Sequence, residues 1–223
     1  MQPNKNENKF LTTHFKLDPL SFLFFLLLKA VVAISLLASP SSASRRSLSG
    51  ATTNTEFIRT SCSATTYPQL CYNSLSAHAT KIQTSARLLA STALDVALSS
   101  AKTTSDAMIK LQQSHGLSPR QSAAMLDCVE ELGDSVDQIR QSIDEMAGAR
   151  GAGRSPADFQ MMISDVQTWV SAALTDESTC NDGFAGKEMA GETKTVVRGK
   201  IETIAHLTSN ALALINAYAT LHH

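Results

Sequence analysis

Apolar residues recur three or four positions apart along most of the chain, the spacing that gathers them on one face of an α-helix. From about Gln83 to His115 the stripe runs through Leu88, Leu89, Thr92, Val96, Ser100, Thr104, Met108 and Leu111, and Gly116 stops it. Ser118-Pro119 supplies an N-cap followed by a proline at the first helical position, so the next helix should reach about Ala147, before the loop with Gly148, Gly151 and Gly153. Ser155-Pro156 repeats that start for a third helix expected to reach about Leu174. A fourth, from about Glu192 to Leu221, carries Val196, Ile201, Ile204, Leu207, Leu212 and Ile215. None of these helices can bury its stripe alone, and the connections are short. The predicted fold is therefore all-α, a four-helix up-and-down bundle. Ahead of it, the apolar and aromatic segment Glu56–Ser61, and a helix opening at Tyr67-Pro68 and running to about His78, predict a small N-terminal helical hairpin.

The amino terminus has a different pattern. Lys5, Lys9 and Lys16 precede a stretch from Leu20 to Ala38 that is apolar apart from Ser21, Lys29 and Ser35, and Ser41-Ser42-Ala43 follows with small residues at cleavage spacing. This reads as an export signal cut after Ala43. An uncleaved anchor is the alternative, since the stretch has about the length of a membrane span; Lys29 within it argues for cleavage. The expected organisation is a signal peptide at 1–43, a flexible leader at 44–53 without apolar periodicity, and one domain at 54–223.

Composition supports helices over strands, because aromatic residues make up only 5% of the chain. The net charge is -1. Removing residues 1–43 takes away four lysines and two acids, leaving 15 Lys+Arg against 18 Asp+Glu, or -3. A mildly acidic domain without a dense basic run is a poor match for nucleic acid or an anionic membrane. An exported chain with four cysteines is best read as a disulfide framework. Three connectivities are possible. Spacing favours Cys62 with Cys71, across the small hairpin, which leaves Cys128 with Cys180. Loop entropy gives these ~3 and ~4 kcal/mol before native strain is subtracted. No paired short Cys or His spacing points to a metal, and no cofactor motif is found.

On the second long helix, with Glu130 set at zero on a helical wheel, Asp134 falls at about 40° and Asp137 at about -20°. Met125, Val129, Leu132, Val136, Ile139 and Ile143 occupy the opposite side, so burying them turns the three acids outward. Like charges at this spacing cost an isolated helix ~0.2–0.5 kcal/mol per pair. They form either an ordinary solvated face, relieved by Arg140, or a docking stripe for a basic partner surface. Catalytic signatures are missing: there is no GxSxG, HExxH or glycine-rich phosphate loop, and the histidines do not cluster. His206 reads as a surface residue, and Trp169, among Val166, Val170 and Leu174, as core.

The segment from Phe57-Ile58-Arg59-Thr60-Ser61-Cys62 through Tyr67-Pro68-Gln69-Leu70-Cys71, the run Asp127-Cys128-Val129-Glu130, and Val166 to Leu174 running on to Cys180 together resemble the plant invertase and pectin methylesterase inhibitor family. The resemblance covers about Glu56 to the C-terminus. It implies a secreted four-helix bundle with an N-terminal hairpin and disulfides joining the first cysteine to the second and the third to the fourth, which agrees with the pairing that spacing favours. Invertase inhibitors of this family carry a Pro-Lys-Phe motif between the third and fourth cysteines. Here the nearest match is Pro156-Ala157-Asp158-Phe159, with an acid near the lysine's place. The Val166 to Cys180 stretch is more similar to the pectin methylesterase inhibitor type, in which acids just after the third and fourth cysteines face the enzyme. The matching positions are Glu130, Asp134, Asp137 and Asp182, and all four are acidic.

What the resemblance implies is a non-enzymatic, apoplastic cell-wall protein that binds pectin methylesterase noncovalently, in a 1:1 complex, over the substrate cleft. No metal, cofactor, nucleic acid or mature-form membrane contact is expected, and affinity should depend on pH and salt. Inhibition of an acid invertase is the nearest alternative. An apolar-ligand carrier, and the inhibitor-like pro-region of a larger esterase precursor, are more distant ones.

Overall fold

The computed structural model describes residues 42–113, 116–148, 155–186 and 191–221, the first ten of them by backbone alone. The chain divides into two units, 1–46 and 47–223, and the fold below is that of the second. The expected export segment lies outside the described residues except for its last two, which begin α1 (Ser42–Cys62). The leader expected at 44–53 is therefore helical. No proline interrupts the chain between Pro40 and Pro68, and extending a nucleated helix costs far less than starting one.

Four long helices follow the hairpin as expected. These are α4 (Ala86–Gln112), α5 (Pro119–Gly148), α6 (Pro156–Gly183) and α7 (Glu192–Thr220). Consecutive helices pack on one another and α7 closes on α4, which gives the up-and-down ring. Ser85 caps α4 by accepting from the Leu88 amide. Ser118 and Gln121 cap α5 reciprocally, each side chain accepting from the other's backbone amide. At α6 the acid in Pro156-Ala157-Asp158-Phe159 has a structural task, because Asp158 and Ser155 complete a capping box.

The interior departs from the expected stripes in three places. On α4 the buried line runs through Ala90, Ala93, Leu94, Ala97, Ala101 and Met108, while Val96 and Ser100 lie at its edge. Alanine at these positions lets neighbouring backbones approach closely, so the small residues face inward. On α7 the core residue is Val197, fully buried, whereas Val196 is 40% exposed. Helix α6 also continues nine residues past Leu174, through a polar stretch, because Glu177 and Cys180 face α5 and α7 and remain buried. Trp169 is only half-buried.

The hairpin comprises the end of α1, α2 (Pro68–Leu75), a single 3-10 turn (Ser76–His78) and α3 (Ala79–Ile82). Cys62 is bonded to Cys71, and Ile58, Leu75 and Ile82 join the bundle core. Its turn is fastened to α7 by a reciprocal pair. The Tyr67 amide donates to Asn210 Oδ1 and Asn210 Nδ2 donates to the Tyr67 carbonyl, both at 3.0 Å, on a side chain 2% exposed. The Tyr67 ring stacks on His206 with centroids 3.6 Å apart. His206, read from sequence as a surface residue, is half-buried beneath it.

Candidate partner-binding face

The bond between Cys128 and Cys180 joins the first part of α5 to the last turns of α6, with Cα atoms 4.5 Å apart, so the two helices run antiparallel. All four acids expected at the partner face are exposed: Glu130, Asp134 and Asp137 on α5 and Asp182 near the end of α6. Burial of Met125, Leu132, Val136 and Ile139 turns the α5 stripe outward. Asp137 accepts from Arg140 one turn on. Asp134 and Asp137 line a groove of about 450 Å³ together with Lys102 and Asp106 of α4.

Asp182 belongs elsewhere. Glu130 and Asp182 each lie two residues past a bridged cysteine, and on antiparallel helices that carries them to opposite sides of the bridge. Asp182 lines a separate groove of about 360 Å³ with Tyr67, Glu202 and His206. The structure thus gathers the three α5 acids on one stripe and sets the fourth on the neighbouring α6–α7 edge. The stripe also has an apolar end that charge alone did not reveal: Leu126, one turn before Glu130, is 53% exposed.

Behind the exposed acids is a second acidic layer that the sequence reading missed. Glu131 of α5 lies within electrostatic reach of Asp176 of α6. Burial, reinforced by Asp176, Asp134 and Glu130, raises the Glu131 pKa above the usual carboxylate range. Burial, reinforced by Asp134, raises that of Asp176. Deeper still, Glu177 is fully buried, and its Oε1 accepts from Ser135 Oγ of α5 and Thr208 Oγ1 of α7, each at 2.9 Å. Burial pushes this carboxyl up to about 7, against the pull of the two hydroxyls. A signal for it was present in the sequence. Glu177 continues the spacing of Val166, Val170 and Ala173, so the helical period alone puts it in the core.

A disulfide-tied four-helix ring with a docked hairpin and an outward acidic stripe defines a small helical bundle protein with a candidate docking face. The family model described as plant invertase/pectin methylesterase inhibitor matches residues 56–214, and the chain belongs to that family of inhibitors. It is 50% identical over 167 residues to a "21 kDa protein" of Daucus carota, covering 75% of this chain and 86% of that one. It is 42% identical over 197 residues to pectinesterase inhibitor 11 of Arabidopsis thaliana, covering 88% and 96%. It is 44% identical over 191 residues to pectinesterase inhibitor 9 of the same plant, covering 85% and 91%. Among solved structures, a mutant form of a pectin methylesterase inhibitor from Arabidopsis shares the fold, with a TM-score of 0.57 at 23% identity over 71% of this chain and 95% of that one. Among the described residues no helix is long and apolar enough to cross a membrane, and no group of His, Cys, Asp and Glu could hold a metal ion.

Proposed function

We propose that the protein is a secreted inhibitor of pectin methylesterase that docks the α5 stripe of Leu126, Glu130, Asp134 and Asp137 over the enzyme's substrate cleft, with Asp182 contacting from the adjoining edge. Inhibition is steric: methyl-esterified pectin cannot enter a cleft covered by a rigid helix pair. The observation that carries the reading is the exposed α5 stripe in a chain whose relatives are named pectinesterase inhibitors. The complex is noncovalent and 1:1, and it acts in the cell wall, where it limits pectin de-esterification.

Acids on an exposed helix face gain most from a partner that brings lysine or arginine, since among the described residues only Asp137 of the three has a basic neighbour within ion-pair distance. Asp158 supports the esterase over an invertase as target, because a carboxylate committed to a capping box stands near the place of the invertase-type lysine. The test is the triple reversal Glu130→Lys, Asp134→Lys, Asp137→Lys, assayed in parallel against a purified plant pectin methylesterase and an acid invertase. Loss of esterase inhibition by a folded variant is the expected result. Inhibition of the invertase but not the esterase by the unaltered protein would redirect the reading.

A further inference from the structure

A groove of about 880 Å³ lies away from the α5 stripe, where α4, α7 and the end of the hairpin meet. That volume is within the ~300–1,000 Å³ typical of clefts that take small molecules. Its walls are mixed, with Val96 and Val196 among serine and threonine side chains. Ser99, Ser100 and Thr103 come from α4, Thr195 and Thr203 from α7, and the hairpin contributes His78 and Lys81.

Three observations mark it as a built site. The first is Thr92, which lines the groove, is 1% exposed, and has an Oγ1 with no hydrogen-bond partner. Threonines elsewhere on these helices, such as Thr103, Thr168 and Thr203, return their hydroxyl to the carbonyl four residues back. A buried hydroxyl left unpaired is destabilising unless something else satisfies it. The second is Gly199, two turns into α7, where glycine is less favourable than alanine. A Cβ there would meet nothing within 4 Å, so packing does not require glycine, and its effect is to keep the groove wall low. The third is charge. Asp95, the acid lining the groove, is held by Lys81 at 2.7 Å. That leaves Lys200 without an ion pair among the described residues, a net positive groove on an acidic domain.

We infer that this groove binds a short carboxylated oligosaccharide. A ligand with many hydroxyls both donates to and accepts from serine and threonine, and its carboxylate answers Lys200. Free phosphate or sulfate fits less well, since no arginine lines the groove to grip an oxyanion with a paired fork. A wholly apolar ligand would leave the Thr92 hydroxyl and Lys200 unanswered. The inference is independent of the enzyme-docking reading, because it shares no residue with the α5 stripe and its binding measurement contains no esterase.

The experiment is a nuclear magnetic resonance titration of the disulfide-bonded protein with a galacturonic acid trimer, with maltotriose and inorganic sulfate as separate titrants. The expected result is saturable shifts at Thr92, Gly199 and Lys200 with the acidic trimer and none with either control. Lys200→Glu and Gly199→Leu should each raise Kd at least tenfold, and Thr92→Val a few-fold. Both of the first two positions are exposed, so the variants should keep the melting temperature and the esterase inhibition of the parent. No shift at millimolar trimer, an equal response to maltotriose or to sulfate, or undiminished binding by Gly199→Leu would overturn the inference. So would loss of esterase inhibition in these variants, which would make the groove part of the enzyme contact.

Discussion

At the scale of single residues, Glu177 links the core to pH. Its pKa in the folded protein is about 7, above the 4.5 expected of an unconstrained glutamate, so folding favours the protonated form. Between those two values the unfolded chain releases a proton that the folded one keeps. Stability is therefore fully present below about pH 4.5 and declines as pH rises through 7, by about 3 kcal/mol in all. Glu131 and Asp176, both raised, act in the same direction. Thermal melts should show the midpoint falling by roughly 6–12 °C from pH 5 to pH 8, and Glu177→Gln should remove most of that slope. A slope unchanged in the glutamine variant would mean that Glu177 does not carry the proton.

Among the elements, the link between α3 and α4 is a tight turn in which the Ser85 amide donates to the Ile82 carbonyl, with Gln83 at φ 55 and ψ -127. That is the first central position of a type II′ turn, where glycine is preferred because it has no Cβ to clash. Gln83→Gly should stabilise the domain by ~1 kcal/mol, read from denaturant midpoints. Ser155→Ala should cost about the same by removing half of the α6 capping box. Helix starts were legible because they rest on local chemistry: Ser118-Pro119 and Ser155-Pro156 announce α5 and α6 within a residue. The α6 end was not. Thr175 to Asn181 reads as polar, and only tertiary contacts of Glu177 and Cys180 keep it helical. The swap of Val196 for Val197 has a similar origin, since two adjacent valines look alike until a neighbouring helix chooses one. The outward turn of the α5 acids followed from the period alone, and so does the place of Leu126, at about -40° on the same wheel, whereas the Glu131–Asp176 pair needed the packing of α5 on α6 to become visible.

For the whole molecule, the two disulfides set different scales of constraint. The bond between Cys128 and Cys180 closes a loop of sequence separation 52, against 9 for Cys62 with Cys71. Replacing the α5–α6 pair with serines should therefore cost more, ~4 against ~3 kcal/mol on the loop-entropy account, and it should loosen the helix pair that carries the acidic stripe. Binding through that stripe should weaken as salt rises, because exposed charge pairs are screened within about 10 Å at 0.1 M. The most direct measurement is inhibition of a purified plant pectin methylesterase by Glu130→Lys/Asp134→Lys/Asp137→Lys, with circular dichroism confirming the bundle. Docking through α5 predicts that the folded variant loses at least a hundredfold in inhibitory potency, about 3 kcal/mol of interaction. Undiminished inhibition by a folded variant would contradict it.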